Sequence, residues 1–174
     1  MANKSTPELV EQLATTLQSR GLLLTTAESC TGGMIAAACT DLAGSSAWFD
    51  RGFITYSNDA KTAMLGVSSS MIRRYGAVSE ETAQAMAGGA VRVIADGMAG
   101  RPYPVGLTGH VAVAVTGVAG PGGGSDLKPV GTVCFGFSVG GSVTTSTQHF
   151  AGDRAAVREQ TVRFALGELL RLLS

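Results

Sequence analysis

Residues 22–38 predict a buried strand that turns directly into a helix, and this unit constrains the fold more than any other stretch. Within it, segment 25–33 reads TTAESCTGG. The apolar run at 22–24 has the composition of a buried strand, and the small residues at 34–38 fit a helix that lies close against a sheet. A strand-to-helix turn exposes its side chains at the carboxyl edge of the sheet, where open α/β folds bind ligands.

The turn between this strand and this helix carries several chemically useful groups. They are a carboxylate, two hydroxyls, a thiol and two glycines, at Glu28, Ser29, Cys30, Thr31, Gly32 and Gly33. Four of them are candidate substrate-binding residues: Glu28, Thr31, Gly32 and Gly33. The first backbone N–H groups of a helix have no partner within it, so they can hold an anion or a developing oxyanion. A plain helix start capped by serine or threonine would have the same pattern, and the local sequence alone does not separate the two interpretations.

The remaining chain alternates predicted strands and helices. Strands are predicted over 22–26, 48–56, 111–115, 131–139 and 143–150, and helices between Ser5 and Gly21, over 31–42, 58–65 and 68–75, from Ser79 to a loop at 97–109, and from Asp153 onward. Helices separate the early strands, and a Gly-Gly pair forms a late antiparallel hairpin. We therefore expect one α/β domain over 1–174, with a mixed sheet covered on both faces by helices.

Composition excludes several classes of function. The 174 residues include 13 basic and 13 acidic side chains, so the formal net charge is zero. Without a basic block, nucleic acid is not an expected partner. We expect no membrane partner either, because no apolar run could span a bilayer and the N-terminus is polar, unlike a signal peptide. The three cysteines and two histidines form no metal motif, and this cysteine usage favours a reducing cytoplasm.

Ser29 is a candidate nucleophile, but a serine needs a base to remove its proton. The two histidines, His110 and His149, do not follow carboxyl-edge loops as the histidine of a serine triad would. Among the three lysines, Lys61 follows a predicted strand end, five residues after Tyr56. Burial or nearby cations would have to lower the pKa of this lysine. A surface lysine and a half-buried strand tyrosine are the simpler interpretation from composition alone.

A glycine-rich loop follows the predicted central strand and is a candidate anion site. Residues 116–125 read TGVAGPGGGS, and a lysine follows three positions later. The candidate binding residues are Gly117, Gly122, Gly123, Gly124, Ser125 and Lys128. Glycines let backbone N–H groups surround a phosphate, although the loop matches neither the Walker A pattern nor GxGxxG. Arg154, beside the predicted helix cap Asp153, could also reach a phosphate or carboxylate.

Seven blocks along the chain together resemble one known family. They are AESCTGG (27–33), AGSSAWF (43–49), RGFITYSN (51–58), GAVS (76–79), TGVAGPGGG (116–124), KPVGTV (128–133) and GDR (152–154). In this order they resemble the CinA C-terminal domain family, and the resemblance runs from about residue 22 to the end of the chain. One departure is the Pro/Gly loop at 97–109, where a short connection would be expected.

The resemblance implies a fold, an activity and roles for particular residues. The implied fold is a three-layer α/β/α sandwich with a mixed, mostly parallel sheet. The implied activity is hydrolysis of the carboxamide of nicotinamide mononucleotide to nicotinic acid mononucleotide and ammonia, with Ser29 as nucleophile assisted by Lys61 and Tyr56. N–H groups near 31–33 would hold the oxyanion, and the glycine loop with nearby cations would hold the 5′-phosphate. We expect no metal or cofactor, and membership favours a homo-oligomer.

Three alternatives stay open at this level. The same serine could serve an amidohydrolase or esterase with another substrate. A nucleotide-binding or regulatory module without catalysis belongs to a different class of function, and the presence of Ser29, Tyr56 and Lys61 argues against it. A thiol enzyme could use Cys30 instead, and alkylation would then abolish its activity.

Overall fold

The computed structural model describes residues 4–97 and 106–174, and in them five strands form one sheet. The strands are β1 (Leu22–Glu28), β2 (Phe49–Ile54), β3 (Gly109–Gly117), β4 (Thr132–Val139) and β5 (Ser142–His149), in the spatial order β2-β1-β3-β4-β5. β1 pairs in parallel with both β2 and β3, whereas β3–β4 and β4–β5 are antiparallel. Four strands therefore point one way and only β4 opposes them, as the predicted mixed sheet with a late hairpin requires.

In the described part of the chain, six α-helices cover the two faces of this sheet. They are α1 (Thr6–Arg20), α2 (Met34–Thr40), α3 (Asn58–Leu65), α4 (Ser69–Tyr75), α5 (Glu80–Gly97) and α6 (Arg154–Leu172). One apolar cluster joins α1, α2 and α6 to the sheet, and a second cluster joins α3, α4 and α5 to the opposite face. The chain is therefore a three-layer α/β/α sandwich, as predicted.

The central strand β3 shows why both faces are covered. Its valines at 111, 113 and 115 belong to the first cluster, and its alanines at 112 and 114 belong to the second. Successive side chains of a strand point to opposite faces, so the wholly apolar stretch at 111–115 must be buried on both sides. Helix α5 also lies close to the sheet at β4, where a Cβ at Gly136 would come within 2.3 Å of the Ala83 carbonyl oxygen.

Several element boundaries differ from the sequence prediction. α2 begins at Met34 rather than near residue 31, because Gly32 and Gly33 have φ angles of 60° and 100°, which a right-handed helix cannot include. β2 is shorter than 48–56, and Trp48 lies just outside it, buried in the first core cluster. Of the predicted loop at 97–109, residues 98–105 lie outside the described part of the chain.

The carboxyl ends of β1, β2 and β3 lie at one edge of the sheet, and pairing continues past the ends of β1 and β2. Ser29 donates its N–H to the Val115 carbonyl at 3.0 Å, and Thr55 donates its N–H to the Glu28 carbonyl at 2.8 Å. The residues that follow these strands are therefore fixed relative to one another. In the described ranges 4–97 and 106–174, no helix is both long and apolar enough to cross a membrane.

Helix α3 follows β2 and is held in place by contact with α5. Arg92 of α5 donates to the Leu65 carbonyl at 2.9 Å, and α5 approaches the same carbonyl through a glycine. A Cβ at Gly89 would lie 2.2 Å from the Leu65 oxygen, whereas at the adjacent Gly88 it would meet only a Val143 methyl at 3.9 Å. The packing of α3 on α5 therefore requires glycine at position 89 but not at 88.

This asymmetry predicts opposite effects of two adjacent substitutions. Gly88→Ala should raise the free energy of unfolding by up to about 1 kcal/mol, because alanine is the better helix former. Gly89→Ala should lower it by about 1–3 kcal/mol, since the added methyl overlaps the Leu65 carbonyl. Urea unfolding of both variants and the wild type measures the difference. Equal stabilisation by both substitutions would contradict the close α3–α5 contact.

Candidate active site

Ser29 lies immediately after β1, in the turn that leads to α2. Its side chain is 7% exposed, and its backbone is held on both sides: the N–H bonds to Val115, and the carbonyl accepts the Gly32 N–H at 3.1 Å. Side chains alternate along the strand, so the Ser29 hydroxyl faces the layer of α3 rather than that of α2. The turn thus directs a nearly buried hydroxyl toward α3.

Lys61 reaches this hydroxyl from the first turn of α3, which is capped by the Ser57 hydroxyl accepting the Ala60 N–H at 3.0 Å. The Lys61 Nζ lies 3.0 Å from Ser29 Oγ, 2.9 Å from the Thr55 carbonyl oxygen and 3.3 Å from the Tyr56 carbonyl oxygen. The sequence-predicted pair is therefore in hydrogen-bond contact across 32 positions of the chain.

The environment of Lys61 favours a neutral amine. The side chain is 1% exposed, and within the described residues it forms no ion pair with a carboxylate. Burial consequently lowers the pKa of Lys61 below that of an exposed lysine, and the Cys30 thiol opposes this shift, more weakly, only when it is ionised. A neutral amine has two N–H bonds and one lone pair. The carbonyls of Thr55 and Tyr56 can accept both hydrogens, which leaves the lone pair for the Ser29 hydroxyl.

Glu28, predicted to contact substrate, is fully buried and is occupied by the start of α2. One carboxylate oxygen accepts the Thr31 hydroxyl at 2.7 Å and the N–H groups of Gly33 and Ile35 at 2.9 and 3.1 Å. The other oxygen accepts the Ala36 N–H at 2.9 Å. A negative charge at a helix N-terminus is also favoured by the helix dipole. In this structure Glu28 and the Thr31 hydroxyl therefore hold the turn in shape and do not face an open site.

Two N–H groups of the turn remain available for a ligand. The N–H of Gly32 donates to Ser29, and that of Gly33 donates to Glu28. Those of Cys30 and Thr31 donate to no other residue among those described. Of the three predicted oxyanion donors at 31–33, only Thr31 therefore has a free N–H, and Cys30 adds a second one directly after the serine.

Arg158 of α6 is a residue of this site that the sequence analysis missed. Its Nε donates to the Cys30 carbonyl at 3.1 Å, and its Nη2 donates to the Thr31 carbonyl at 2.9 Å. Its position four residues after Arg154 could have indicated that it belongs to the site, because this spacing places both side chains on the same face of a helix. Arg154 had been selected because of the GDR block, and the second arginine lies outside that block.

Tyr56 and Arg154 meet at the mouth of the site. Arg154 donates to the Tyr56 hydroxyl at 3.2 Å and to the Gly120 carbonyl at 2.8 Å. The Tyr56 side chain is 61% exposed, and its hydroxyl makes no hydrogen bond to Ser29 or Lys61. Tyr56 instead contacts Lys61 through its backbone carbonyl. The structure thus places the three predicted catalytic residues together, but with the tyrosine hydroxyl turned toward Arg154.

The groove beside this mouth has a volume of about 660 Å³ and is lined on one side by the start of α6 and on the other by the glycine loop. Its lining includes Gly120, Pro121, Gly152, Arg154 and Arg158. Within the described ranges neither arginine forms an ion pair with a carboxylate. Two arginines therefore face the groove together with one carboxylate, that of Asp153, which accepts the Ala156 N–H as the cap of α6. The charge of these side chains is positive on balance, which suits an anionic ligand.

The other predicted loop residues are more distant from this groove. Gly117 ends β3 and packs tightly on β4, where a Cβ would lie 2.8 Å from Val133 and from the Thr132 carbonyl. The exposed residues Gly122, Gly123, Gly124 and Ser125 follow, and none of them lines the groove. Lys128 donates from Nζ to the Tyr75 carbonyl at 2.8 Å, so its ammonium joins the loop to the end of α4.

Cysteine, histidine and metal chemistry receive little support from the described residues. Cys30 is buried, and this burial raises the pKa of its thiol to about 11, which suppresses the reactive thiolate. His110 pairs with Leu23 at the far end of β1, and the His149 ring lies against Thr132. No group of three His, Cys, Asp or Glu side chains in the described part of the chain is placed to hold a metal ion.

Comparison with known proteins shows the family. The family model described as "CinA C-terminal domain" matches residues 6–173 of the chain. The chain belongs to this family. A protein of Enterobacter agglomerans named nicotinamide-nucleotide amidohydrolase PncC is 51% identical over 98% of this chain and 97% of its own length. The protein of the same name from Escherichia coli K12 is 46% identical over 97% of this chain and 95% of its own.

Solved structures of the family have the same fold. A competence or damage-inducible protein from Enterobacter asburiae superposes with a TM-score of 0.87 at 39% identity, covering 99% of this chain and all of the other. The competence/damage inducible protein CihA from Agrobacterium tumefaciens also gives 0.87, at 43% identity over 100% and 99% of the two chains. The three-layer arrangement is thus that of the CinA superfamily.

The role of Glu28 in holding the turn can be tested through stability. In Glu28→Gln an amide NH₂ replaces one carboxylate oxygen, and an NH₂ group cannot accept the hydrogen bonds that this oxygen accepts. The free energy of unfolding should therefore fall by about 2–3 kcal/mol. Glu11→Gln, on the exposed face of α1, is the matched control and should change it by less than about 0.5 kcal/mol. Chemical denaturation of both variants supplies the comparison, and a Glu28→Gln protein as stable as the control would contradict this role.

Proposed function

We propose that this chain hydrolyses the carboxamide of nicotinamide mononucleotide, giving nicotinic acid mononucleotide and ammonia. The broader assignment is that the chain is an amidohydrolase, since relatives that are 46–51% identical over nearly their full lengths bear that name. The single observation that carries the mechanism is the contact of a buried lysine amine with a serine hydroxyl at 3.0 Å.

In the first step, Ser29 Oγ attacks the carboxamide carbon while Lys61 Nζ takes the hydroxyl proton. The new C–O bond forms as the carbonyl electron pair moves to its oxygen, which becomes an oxyanion. The N–H groups of Cys30 and Thr31 are the candidates to stabilise it. A neutral Lys61 is needed here, and the buried surroundings of its amine supply one.

In the second step, the tetrahedral intermediate collapses and the C–N bond breaks. The leaving nitrogen takes the proton that Lys61 holds, so it departs as ammonia rather than as an amide anion. An ester between Ser29 and the nicotinoyl carbon remains. Water then attacks this ester with Lys61 again accepting the proton, and the proton returns to Ser29 as the acid product leaves. Atoms and charge balance over the cycle, with water as the second substrate.

Tyr56 has a supporting role in this proposal rather than that of a proton relay. Its carbonyl accepts one hydrogen of Lys61 and so helps to direct the lysine lone pair at Ser29. Its hydroxyl lies on Arg154, which also faces the groove. Arg154 is our candidate to bind the substrate 5′-phosphate, and binding energy realised at this distance from the amide would position the reacting carbon.

Oligomeric state, cellular location and the roles of individual loop residues remain predictions. The homo-oligomer is expected from the resemblance to the family, and the aromatic residues Trp48, Phe49 and Phe53 could belong either to the core or to an interface. Trp48 is buried, and Phe49 and Phe53 pack at the margins of the two core clusters, so these residues give that prediction no support. A cytoplasmic location still rests on cysteine usage alone.

Substitution of the reacting pair tests the proposed activity. Wild-type protein should release ammonia from nicotinamide mononucleotide in the presence of a chelator, and Ser29→Ala or Lys61→Met should reduce kcat by at least about 1000-fold. Lys4→Met, a lysine on the N-terminal segment, is the matched control and should leave kcat unchanged. No release by folded wild type would favour a binding module or another amide substrate. Activity retained in Ser29→Ala would favour direct attack by water.

The pH dependence follows from the direction of the Lys61 pKa shift. The active form is the neutral amine, so kcat/KM should rise with pH through the lowered pKa and reach a plateau below the pKa of an exposed lysine. The same shift makes the folded protein bind fewer protons than the unfolded chain between the two pKa values, so stability should also rise with pH in that window. In Lys61→Met this stability slope should be reduced. A wild-type rate that is flat across the window would contradict a titrating base.

A further inference from the structure

We propose that Arg158 is a positioning residue for the oxyanion site: it fixes and polarises the Cys30–Thr31 peptide so that the Thr31 N–H is presented to the reacting oxygen. This inference rests on the proposed function, because it assigns a role within the same reaction. It begins from an unusual contact. The Arg158 guanidinium donates two hydrogen bonds to consecutive carbonyls of a turn, and among the described residues it forms no ion pair with a carboxylate.

The first step of the argument concerns the geometry of the peptide bond. The Cys30–Thr31 bond is trans, since Gly120–Pro121 is the only cis bond in the described ranges. In a planar trans peptide the C=O and N–H bonds point in opposite directions. Fixing the Cys30 oxygen on Arg158 Nε at 3.1 Å therefore fixes the Thr31 N–H on the side away from Arg158. That N–H is one of the two free donors of the turn.

The second step concerns the neighbouring peptide. Arg158 Nη2 holds the Thr31 carbonyl at 2.9 Å, and the N–H of the same peptide, on Gly32, donates to the Ser29 carbonyl at 3.1 Å. This second plane is thus held at both ends. Because the two planes share the Thr31 α-carbon, the two-point contact of one rigid guanidinium limits rotation of the first plane as well.

The third step concerns charge. Arg158 is permanently charged, and in the described part of the chain no carboxylate neutralises it. A cation hydrogen-bonded to a carbonyl oxygen draws electron density toward that oxygen, so the N–H at the other end of the peptide becomes a stronger donor. An oxyanion gains more from this than a neutral carbonyl does, so the benefit appears mainly in the transition state.

A purely structural role would also explain the contact, and kinetics separate the two. Arg158→Ala should lower kcat about 100-fold, the scale expected when a catalytic group is displaced by about 1 Å, with KM unchanged. Arg158→Lys keeps the charge but cannot span two carbonyls, so its kcat should be intermediate. Arg171→Ala, on the same helix but paired with Glu168 at the surface, is the matched control and should have wild-type kinetics.

Chemical rescue keeps the test decisive if the alanine variant is less stable. Guanidinium ion at millimolar concentration should restore part of kcat in Arg158→Ala, whereas methylammonium should not, because only the planar ion can bridge the two carbonyls. Unchanged kcat in Arg158→Ala would overturn the inference, as would a loss confined to KM, or a loss that tracks the folded fraction and resists rescue. Failure of the wild type to release ammonia would instead overturn the proposed function, and this inference with it.

Discussion

The contact between Lys61 and Ser29 depends on a buried amine, and much of the surrounding structure serves to keep that amine buried and correctly oriented. A lysine in this position loses hydration without gaining a carboxylate partner, so its charged form is penalised. The amine compensates with two backbone carbonyls, from Thr55 and Tyr56. Those carbonyls are fixed because the chain after β2 stays paired with β1 through Thr55. The sheet edge therefore determines which way the lysine lone pair points.

Two adjacent residues at the end of β1 have different roles because their side chains point to opposite layers of helices. Glu28 faces the α2 side and holds the helix start, whereas Ser29 faces the α3 side and meets the lysine. This division follows from the alternation of side chains along an extended chain. It also explains why the turn needs left-handed glycines at 32 and 33: the chain has to return over the Glu28 carboxylate before α2 can begin.

The elements of the fold could largely be predicted from sequence, because each depends on a local pattern. Apolar runs marked the strands, and Gly66 and Asp153 supply an ordinary stop and an ordinary cap. The pairing of Ser29 with Lys61 was predicted through the resemblance to the family, since composition alone favoured a surface lysine. The roles of Glu28 and the Tyr56 carbonyl were not predictable. Backbone carbonyls have no signature in a sequence, and a glutamate near a serine could face either layer.

The role of Arg158 was not predictable for the same reason, because its partners are backbone carbonyls far away in the sequence. The net charge of the chain also gives no information about the charges within one site. The chain is formally neutral, and its composition gave no reason to expect concentrated positive charge. Yet α6 places Arg154 and Arg158 one turn apart beside a groove, and among the described residues no carboxylate forms an ion pair with either. Their partners are carbonyls and a phenol contributed by segments 34 to 128 positions away. Such neutral partners, with Asp153 as one carboxylate in the groove lining, leave the groove positive on balance, so it can attract an anion while the turn beside Ser29 remains held by the same helix.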